Sequence, residues 1–406
     1  MSLRFALLAT LFVAVAVPPS CSGGGGSSGG GGGPVTPNTP PSATATPPTG
    51  VQIMNIPISY TLTDAESDPL SIVVEYSIDG GSTWNPATAG PGGDGISGLT
   101  SSPTGVPHLF VWASRINNVA LTGPVSTVQI RITPSDSAAG TAGTTGNFTV
   151  NNKVTAYRIT DLRLRDPHVF TNVGGLTSCR DITDTGISMT IPPVNIPAVN
   201  QQIANLITLD SNPMDGYYDL TLLILFRPLD QADAATGRVD WAVGRRSTST
   251  PGVSDLDPAY TPVQSTYTSA ATGTVLQPGP GTKSPANYTP AILEPAGPGF
   301  STASFEFTFN IGPAAVPLTG VQVGAEYVGT PATSLADGLI MGFLSETAAN
   351  GIMISVGGTQ VPLSAFLPGG TNSCVTAYSD KDTNAGVPGW WFYFNFLATE
   401  VTYTGP

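Results

Sequence analysis

Oxygen-bearing side chains occur at alternate positions near the end of the chain, in Asp380, Asp382 and Asn384. Carboxylate and amide oxygens are the ligands that Ca²⁺ takes in proteins, about six to eight at a time. The spacing therefore predicts part of a calcium site. The other interpretation is a plain turn, because Asp and Asn side chains also hydrogen-bond their own backbone.

The stretch resembles the start of an EF-hand or thrombospondin-type calcium loop, and the resemblance implies that these three side chains are ligands. It departs from the EF-hand pattern in two places. Its glycine, Gly386, comes one place late, and Trp391 stands where the bidentate glutamate belongs.

A second acidic run alternates carboxylates in the same way, at Asp64, Glu66 and Asp68. Three acids can again supply only part of a calcium site. A solvated acidic turn beside Pro69 is the alternative. Calcium is the only cofactor that the sequence suggests.

Catalytic motifs are absent from the sequence. Its two histidines, His108 and His168, have no metal-ligand spacing, and no Gly-x-Ser-x-Gly elbow occurs. A carboxylate pair for glycoside hydrolysis stays open, because the fold sets the separation of such a pair. We expect a protein that is not an enzyme.

The amino terminus has the pattern of a signal peptide over residues 1–20. A short start with one positive charge, at Arg4, precedes an apolar run from Phe5 to Val17. The run is shorter than the roughly 20 residues that span a bilayer. We therefore expect an exported chain.

Cys21 follows a small residue at the end of this apolar run. The arrangement resembles the lipobox of bacterial lipoproteins, which implies that Cys21 carries a lipid and anchors the chain at the outer membrane or cell surface. Pro18 and Ser20 depart from the family pattern, which has Leu and then Ala or Gly at these places. The alternative is ordinary signal cleavage nearby, with Cys21 a free thiol.

The two remaining cysteines, Cys179 and Cys374, are the only possible pair once Cys21 is assigned to the lipid. An oxidising compartment favours a disulfide between them, and two buried free thiols are the alternative.

The composition excludes one class of partner and favours one fold class. The chain has 27 acidic against 14 basic residues and no basic cluster, so it offers no surface for nucleic acid. With 48 glycines and 38 prolines it predicts many short strands joined by turns. We expect an all-β protein.

The Gly, Ser and Pro content of residues 21–50 predicts a linker that holds the folded part away from the membrane. Residues 51–152 then show short alternating runs at a spacing typical of a small antiparallel sandwich. In one of them, Val128, Ile130 and Ile132 share a face. The unit resembles the immunoglobulin-like or fibronectin-type modules of bacterial surface proteins.

One motif in this unit is specific, the Asp-box Ser-x-Asp-x-Gly-x-Thr-Trp, formed by Ser77, Asp79, Gly81, Thr83 and Trp84. The aspartate can accept hydrogen bonds from turn amides, and the glycine permits a positive φ. Sialidase-like propellers repeat the motif in each blade, whereas this chain has one copy. The motif predicts a structural hairpin turn, with a catalytic relic as the alternative.

Residues 155–406 predict a larger β-sandwich or jelly-roll-like domain, similar to uncharacterised domains of bacterial surface lipoproteins. Its last strand places Trp390, Phe392, Phe394 and Phe396 on one face. Such a row is either a core face or a platform for carbohydrate.

Two function classes follow. The first is a non-catalytic cell-envelope lipoprotein that displays β-sandwich modules for surface binding, adhesion or spacing. The second is a polysaccharide-binding or glycoside-hydrolysing protein that uses the terminal aromatic row. Burial of that row would favour the first class, whose partner is a surface protein or polysaccharide.

Overall fold

The computed structural model describes residues 37–172, 178–190, 193–214, 216–246, 253–258, 260–279, 289–311, 314–356 and 358–405. The predicted signal peptide, Cys21 and the linker up to residue 36 lie outside these ranges. Within them the chain is all-β, which confirms the predicted fold class.

The small unit holds nine strands in two sheets. The strands are β1 Ser42–Ala45, β2 Val51–Gln52, β3 Asn55–Thr63, β4 Ser71–Ser77, β5 Asn85–Pro86, β6 Val106–Ala113, β7 Val125–Ser135, β8 Gly143–Thr144 and β9 Phe148–Val150. One sheet has the order β1-β3-β6, and the other has β2-β9-β7-β4-β5 with β8 beside β7.

Alternating side chains explain why the two sheets pack together. Val128, Ile130 and Ile132 of β7 are fully buried, as their spacing predicts. On the other sheet, Ile56 and Ile58 of β3 are equally buried and belong to the same hydrophobic core. Each strand thus places one row of apolar side chains between the sheets.

Strand β1 corrects the predicted boundary of the linker. Residues 42–45 were expected to be unpaired linker, yet Ser42 pairs with Thr63 and Ala45 with Tyr60 on β3. Ala43 is buried in the core of the small unit. The small alternating side chains of this segment let it lie flat beside β3, and low sequence complexity concealed the pairing.

In its described ranges the large unit holds seventeen strands and two α-helices. They are β10 Thr155–Asp166, β11 Phe170–Asn172, β12 Cys179–Asp181, β13 Ile187–Thr190, β14 Pro193–Ile196, α1 Val199–Thr208, β15 Thr221–Arg227, β16 Thr236–Arg246, β17 Val253–Leu256, β18 Val263–Ala270, β19 Gly299–Thr302, β20 Phe305–Ile311, β21 Ala314–Gly329, β22 Ala332–Ser345, α2 Glu346–Gly351, β23 Met353–Val356, β24 Thr359–Pro362, β25 Asp382–Asn384 and β26 Val387–Tyr403.

Eight of these strands pair in a closed ring. The order is β10-β15-β16-β18-β19-β21-β22-β26, and β26 pairs again with β10. All eight pairings are antiparallel. The ring surrounds one hydrophobic core, against which α1 packs through Ile203 and Ile207.

Strand β15 is apolar on both faces, as its sequence predicts, and all seven of its residues are buried. Leu222, Ile224 and Phe226 point into the ring. Leu223 and Leu225 belong to a separate apolar cluster with part-buried Leu256 and Tyr403 packed against it. Both faces of the strand are therefore covered by apolar side chains, which accounts for its continuous apolar run.

The long stretch between Arg245 and Gly299 contains strands that its sequence does not reveal. It is rich in Pro, Gly, Ser and Thr and has little strand pattern, yet β17 and β18 form there. In β18, Ser265, Tyr267 and Ser269 are buried and alternate with exposed Gln264, Thr266 and Thr268. Two of the three buried residues are serines, so hydrophobic periodicity does not reveal the strand.

The two helices are short, with 10 residues in α1 and 6 in α2. In the described part of the chain no helix has the length and apolar character needed to cross a membrane.

Candidate functional site

The terminal aromatic row is part of the core. Trp390, Phe392, Phe394 and Phe396 of β26 are at most 6% exposed and all point into the ring. On the opposite face, Tyr393 is buried in a small cluster with Leu339 and Met341. The row therefore offers no exposed platform for carbohydrate.

The loop predicted to bind calcium at Asp380, Asp382 and Asn384 is a tight hairpin. Strand β25 pairs with β26 from Asp382 opposite Gly389 to Asn384 opposite Val387, and Ala385 and Gly386 make the turn with positive φ. Asp380 is buried just before the hairpin. Strand pairing sets the direction of the Asp382 and Asn384 side chains.

The carboxylates of the second acidic run accept hydrogen bonds from nearby residues of the protein. The Oδ2 atom of buried Asp64 accepts a hydrogen bond from the amide of Asp68 at 2.8 Å. The Glu66 carboxylate accepts from the amide and hydroxyl of Thr39, at 3.2 and 3.1 Å. Among the described residues, no group of three or more Asp, Glu, His or Cys side chains could hold a metal ion, so the calcium prediction finds no support at either run.

The five Asp-box residues form a hydrogen-bonded turn that runs from Ser77, the last residue of β4, to Trp84, just before β5. The Asp79 carboxylate accepts from the hydroxyl of Thr83 at 2.6 Å and from the amides of Ser82 and Thr83 at 2.9 Å. The hydroxyl of Ser77 donates to the same carboxylate at 2.7 Å. These bonds, with those from Thr83 the strongest, hold the pKa of Asp79 well below its usual range.

The glycine and the tryptophan of the motif complete this turn. Gly81 has a φ of 93°, in the region that favours glycine. The Arg131 guanidinium lies 4.2 Å from the centre of the Trp84 ring and also pairs with Glu75 at 2.6 Å. The turn is thus fixed by contacts within its own sheet.

The predicted disulfide between Cys179 and Cys374 is present. It joins β12 to the segment that follows a 3₁₀ turn at Leu363–Phe366. Beside it, Asp181 accepts a hydrogen bond from Nδ1 of His168 at 2.5 Å and one from the amide of Thr183. Burial raises the pKa of Asp181, but these hydrogen bonds more than offset it and hold the pKa below its usual value.

Near the bridge, the large unit contains a cavity of about 500 Å³ that no sequence pattern predicts. Its floor is the inner face of the ring and the β20–β21 hairpin, and its walls come from β11, α1, the β13–β14 and β23–β24 hairpins and the 3₁₀ turn. We call it the apolar cavity. Representative lining side chains are Leu164, Ile203, Phe309, Leu318, Ile354, Phe366, Phe392 and Phe394.

The polarity of the apolar cavity changes from floor to mouth. Phe309, Phe392 and Phe394 are buried on its floor, whereas Asn195, Gln202 and Ser355 line it at exposed positions. None of the described lining residues is charged. The cavity can therefore take up an apolar group and offer neutral hydrogen-bonding partners to a polar end at the mouth.

Comparison with known proteins returned no match to this chain, whether among protein-family models, curated proteins or solved structures. The proposed function therefore follows from the chemistry of the apolar cavity.

Proposed function

We propose that the chain is an exported, lipid-anchored protein of the bacterial cell surface that binds an uncharged amphipathic molecule in the apolar cavity and catalyses no reaction. The observation that carries the proposal is the cavity itself, about 500 Å³ in volume and lined by apolar side chains with no charge among those described.

The size and lining of the cavity support ligand binding. Small-molecule sites typically measure about 300–1,000 Å³ and combine apolar walls with a few polar groups. An apolar space that stays unfilled costs the surrounding side chains their dispersion contacts. A ligand with an apolar body would restore these contacts at Phe309, Phe392 and Phe394.

The side chains at the mouth of the cavity suit a ligand whose polar end is uncharged. Asn195, Gln202 and Ser355 can donate and accept hydrogen bonds, but they cannot neutralise an ion. A buried charge without a partner is costly. A long-chain alcohol or a monoacylglycerol has the required apolar body and neutral polar end.

The lining also favours binding over catalysis. General acid or base catalysis relies on His, Asp, Glu, Lys, Tyr or Cys within hydrogen-bond reach of the reacting group. No such side chain lines the described part of the cavity, and the hydroxyls of Thr171 and Ser355 have no base beside them in that lining.

The proposed lipid anchor is inferred from the amino-terminal sequence. Cys21 and the glycine-rich segment after it would tether both units to the membrane and leave them free to meet a surface partner. Burial of the terminal aromatic row removes the support for a polysaccharide-acting protein at that row. Loss of membrane partition in Cys21→Ala would support the tether, and unchanged partition would contradict it.

Binding to the apolar cavity can be tested with an uncharged naphthylamine fluorophore, displaced by a monoacylglycerol. The full chain carrying Cys21→Ala avoids the need for detergent. Ile354 lines the cavity, and Ile354→Trp should fill part of it and weaken binding of the fluorophore about tenfold or more, a change of about 1.4 kcal/mol.

Met353 provides the matched control. It is the neighbour of Ile354 on β23, is 49% exposed and does not line the cavity, so Met353→Trp adds the same ring at an exposed position outside the lining. We expect Met353→Trp to bind the fluorophore as the parent chain does. Equal binding by Ile354→Trp and Met353→Trp, with both variants folded, would refute the proposal.

A further inference from the structure

A second cleft in the large unit contains the exposed aromatic residues of the described part of the chain. In the described ranges, Tyr217 and Tyr260 are the only aromatic residues classed as exposed, at 37% and 41%. Both line the same cleft of about 630 Å³. Every other described aromatic residue is buried or half-buried, so the meeting of these two indicates a binding surface.

Elements distant in sequence bring the two tyrosines together. Tyr217 lies in the connection between α1 and β15, and Tyr260 follows β17. Between them, Val243, Gly244 and Arg245 of β16 line the cleft. Pairing of β16 with β15 and with β17 sets this arrangement, so the site is held by the sheet.

Charged side chains hold the walls in place. The Arg245 guanidinium lies 5.7 Å from the centre of the Tyr217 ring and 3.8 Å from the Asp257 carboxylate. Asp219 accepts hydrogen bonds from the amide and hydroxyl of Ser211 at 2.8 and 2.7 Å. Side chains that are ordered before binding lose less entropy when a ligand arrives.

The cleft continues past Tyr260 into a second space of about 290 Å³. Tyr260 and Val243 line both spaces, and the second adds Glu306, Thr308 and Thr319 from β20 and β21. We call the two spaces together the tyrosine groove. Two adjoining spaces that share the ring of Tyr260 suit a chain-like ligand better than a single small molecule.

The charges of the groove select a neutral ligand rich in hydroxyl groups. Asp219, Asp257 and Glu306 line it against one cation, Arg245, which already pairs with Asp257. Phosphate and other anions would therefore be repelled. Carboxylates only accept hydrogen bonds, and sugar hydroxyls donate them while the flat C–H faces of sugar rings pack on aromatic rings.

We propose that the tyrosine groove binds a neutral polysaccharide chain, with Tyr217 and Tyr260 packed against successive sugar rings. Proline-rich peptides also dock in aromatic grooves, but proline has no N–H to donate, so the three carboxylates would meet a ligand with few donors. The inference goes beyond the proposed function, because the tyrosines of the groove do not line the apolar cavity.

Electrophoresis in native gels that contain a neutral polysaccharide provides the test. The gels would hold a glucan, a mannan, a xylan or a galactan in turn, and the full chain carrying Cys21→Ala should be retarded by at least one of them. We expect Tyr217→Ala and Tyr260→Ala each to weaken the retardation about tenfold or more, and Tyr260→Phe to recover most of the loss.

Val328→Ala serves as the matched control. Val328 is 44% exposed on β21 and does not line the groove, so its variant should be retarded as the parent is. Thermal melting of each variant would show that the exposed substitutions leave the fold intact. The proposal is overturned if no neutral polysaccharide in the panel retards the chain, if both tyrosine variants migrate like the parent, or if a proline-rich peptide alone binds with this tyrosine dependence.

Discussion

Two glycines in the closed ring lie directly beneath aromatic rings of the neighbouring strand. Gly338 is paired with Phe396 across β22 and β26, and a Cβ atom there would lie 2.4 Å from the Phe396 ring. Gly237 is paired with Tyr267 across β16 and β18, where the distance would be 2.7 Å. In both pairs the aromatic ring covers the place that a side chain would fill.

Gly338→Ala should therefore destabilise the large unit by about 1–3 kcal/mol, because the new methyl must displace a ring that is itself fully packed. Denaturant unfolding followed by tryptophan fluorescence measures the change. Gly351→Ala is the matched control, since nothing lies within 4 Å of the Cβ position at Gly351. A Gly338→Ala variant as stable as the parent would show that the Phe396 ring can move at no cost.

At the level of elements, the disulfide ties two walls of the apolar cavity. Cys179 is on β12, which pairs with β11, and Thr171 of β11 lines the cavity. Cys374 follows the 3₁₀ turn whose Phe366 also lines it. The bridge thus keeps these two walls at a fixed separation.

Replacing both cysteines by serine should lower the free energy of unfolding by about 2–5 kcal/mol, because a loop with a sequence separation of 195 would no longer be closed in the unfolded chain. Binding of the naphthylamine fluorophore should weaken in the same variant. Urea unfolding with and without reductant provides the measurement. If reductant lowers the urea midpoint of the double variant as much as that of the parent, the loss of stability has a cause other than this bridge.

The elements that the sequence predicts well are those with strong hydrophobic periodicity. Apolar residues alternate along Tyr157–Leu164 and Val125–Thr133, which lie in β10 and β7, and Val199, Ile203, Leu206 and Ile207 follow helical spacing in α1. Strand β18 was missed because its buried positions include Ser265 and Ser269, whose hydroxyls bond to Ala303 O and Asp230 O. A buried serine whose hydroxyl is hydrogen-bonded in this way does not contribute to the hydrophobic periodicity of the sequence.

The cavity and the groove could not be predicted for a different reason. Phe309 and Phe392 of the apolar cavity carry ordinary core patterns in their own strands, and only the assembly of several elements leaves space between them. In the groove, Tyr217-Tyr218-Asp219 is an unusual polar aromatic run that could have drawn attention. Its partner Tyr260 is more than 40 residues away and joins it only through β16 and β17.

At the level of the whole molecule, buried tyrosines are distributed over both units. Burial raises the pKa of Tyr60 in the small unit and of Tyr157 and Tyr327 in the large unit, and it raises the pKa of Tyr267 from 10.0 to about 12. The Tyr267 hydroxyl donates to Pro228 O at 2.7 Å and accepts from the amide of Asp230 at 2.8 Å. Each folded unit therefore keeps these protons in a pH range where the unfolded chain releases them.

We accordingly expect the protein to lose stability as the pH rises above about 10, the value at which unfolded tyrosines ionise, with Tyr267 alone accounting for on the order of 3 kcal/mol by pH 12. Below pH 10 this contribution is fully present. Phenolate absorbance and near-ultraviolet circular dichroism should change together in one alkaline transition. Gradual ionisation of all the tyrosines with an unchanged dichroism spectrum would contradict the expectation.

Strand β26 pairs with β10, with β22 and with β17, and it is formed by residues 387–403 of a chain of 406. Its aromatic side chains are also the middle of the core. Because a ribosome releases a chain from its amino terminus onward, the ring cannot close until residue 403 has emerged. The small unit can fold as soon as residue 150 is free, whereas the large unit can close only after strand β26 has emerged.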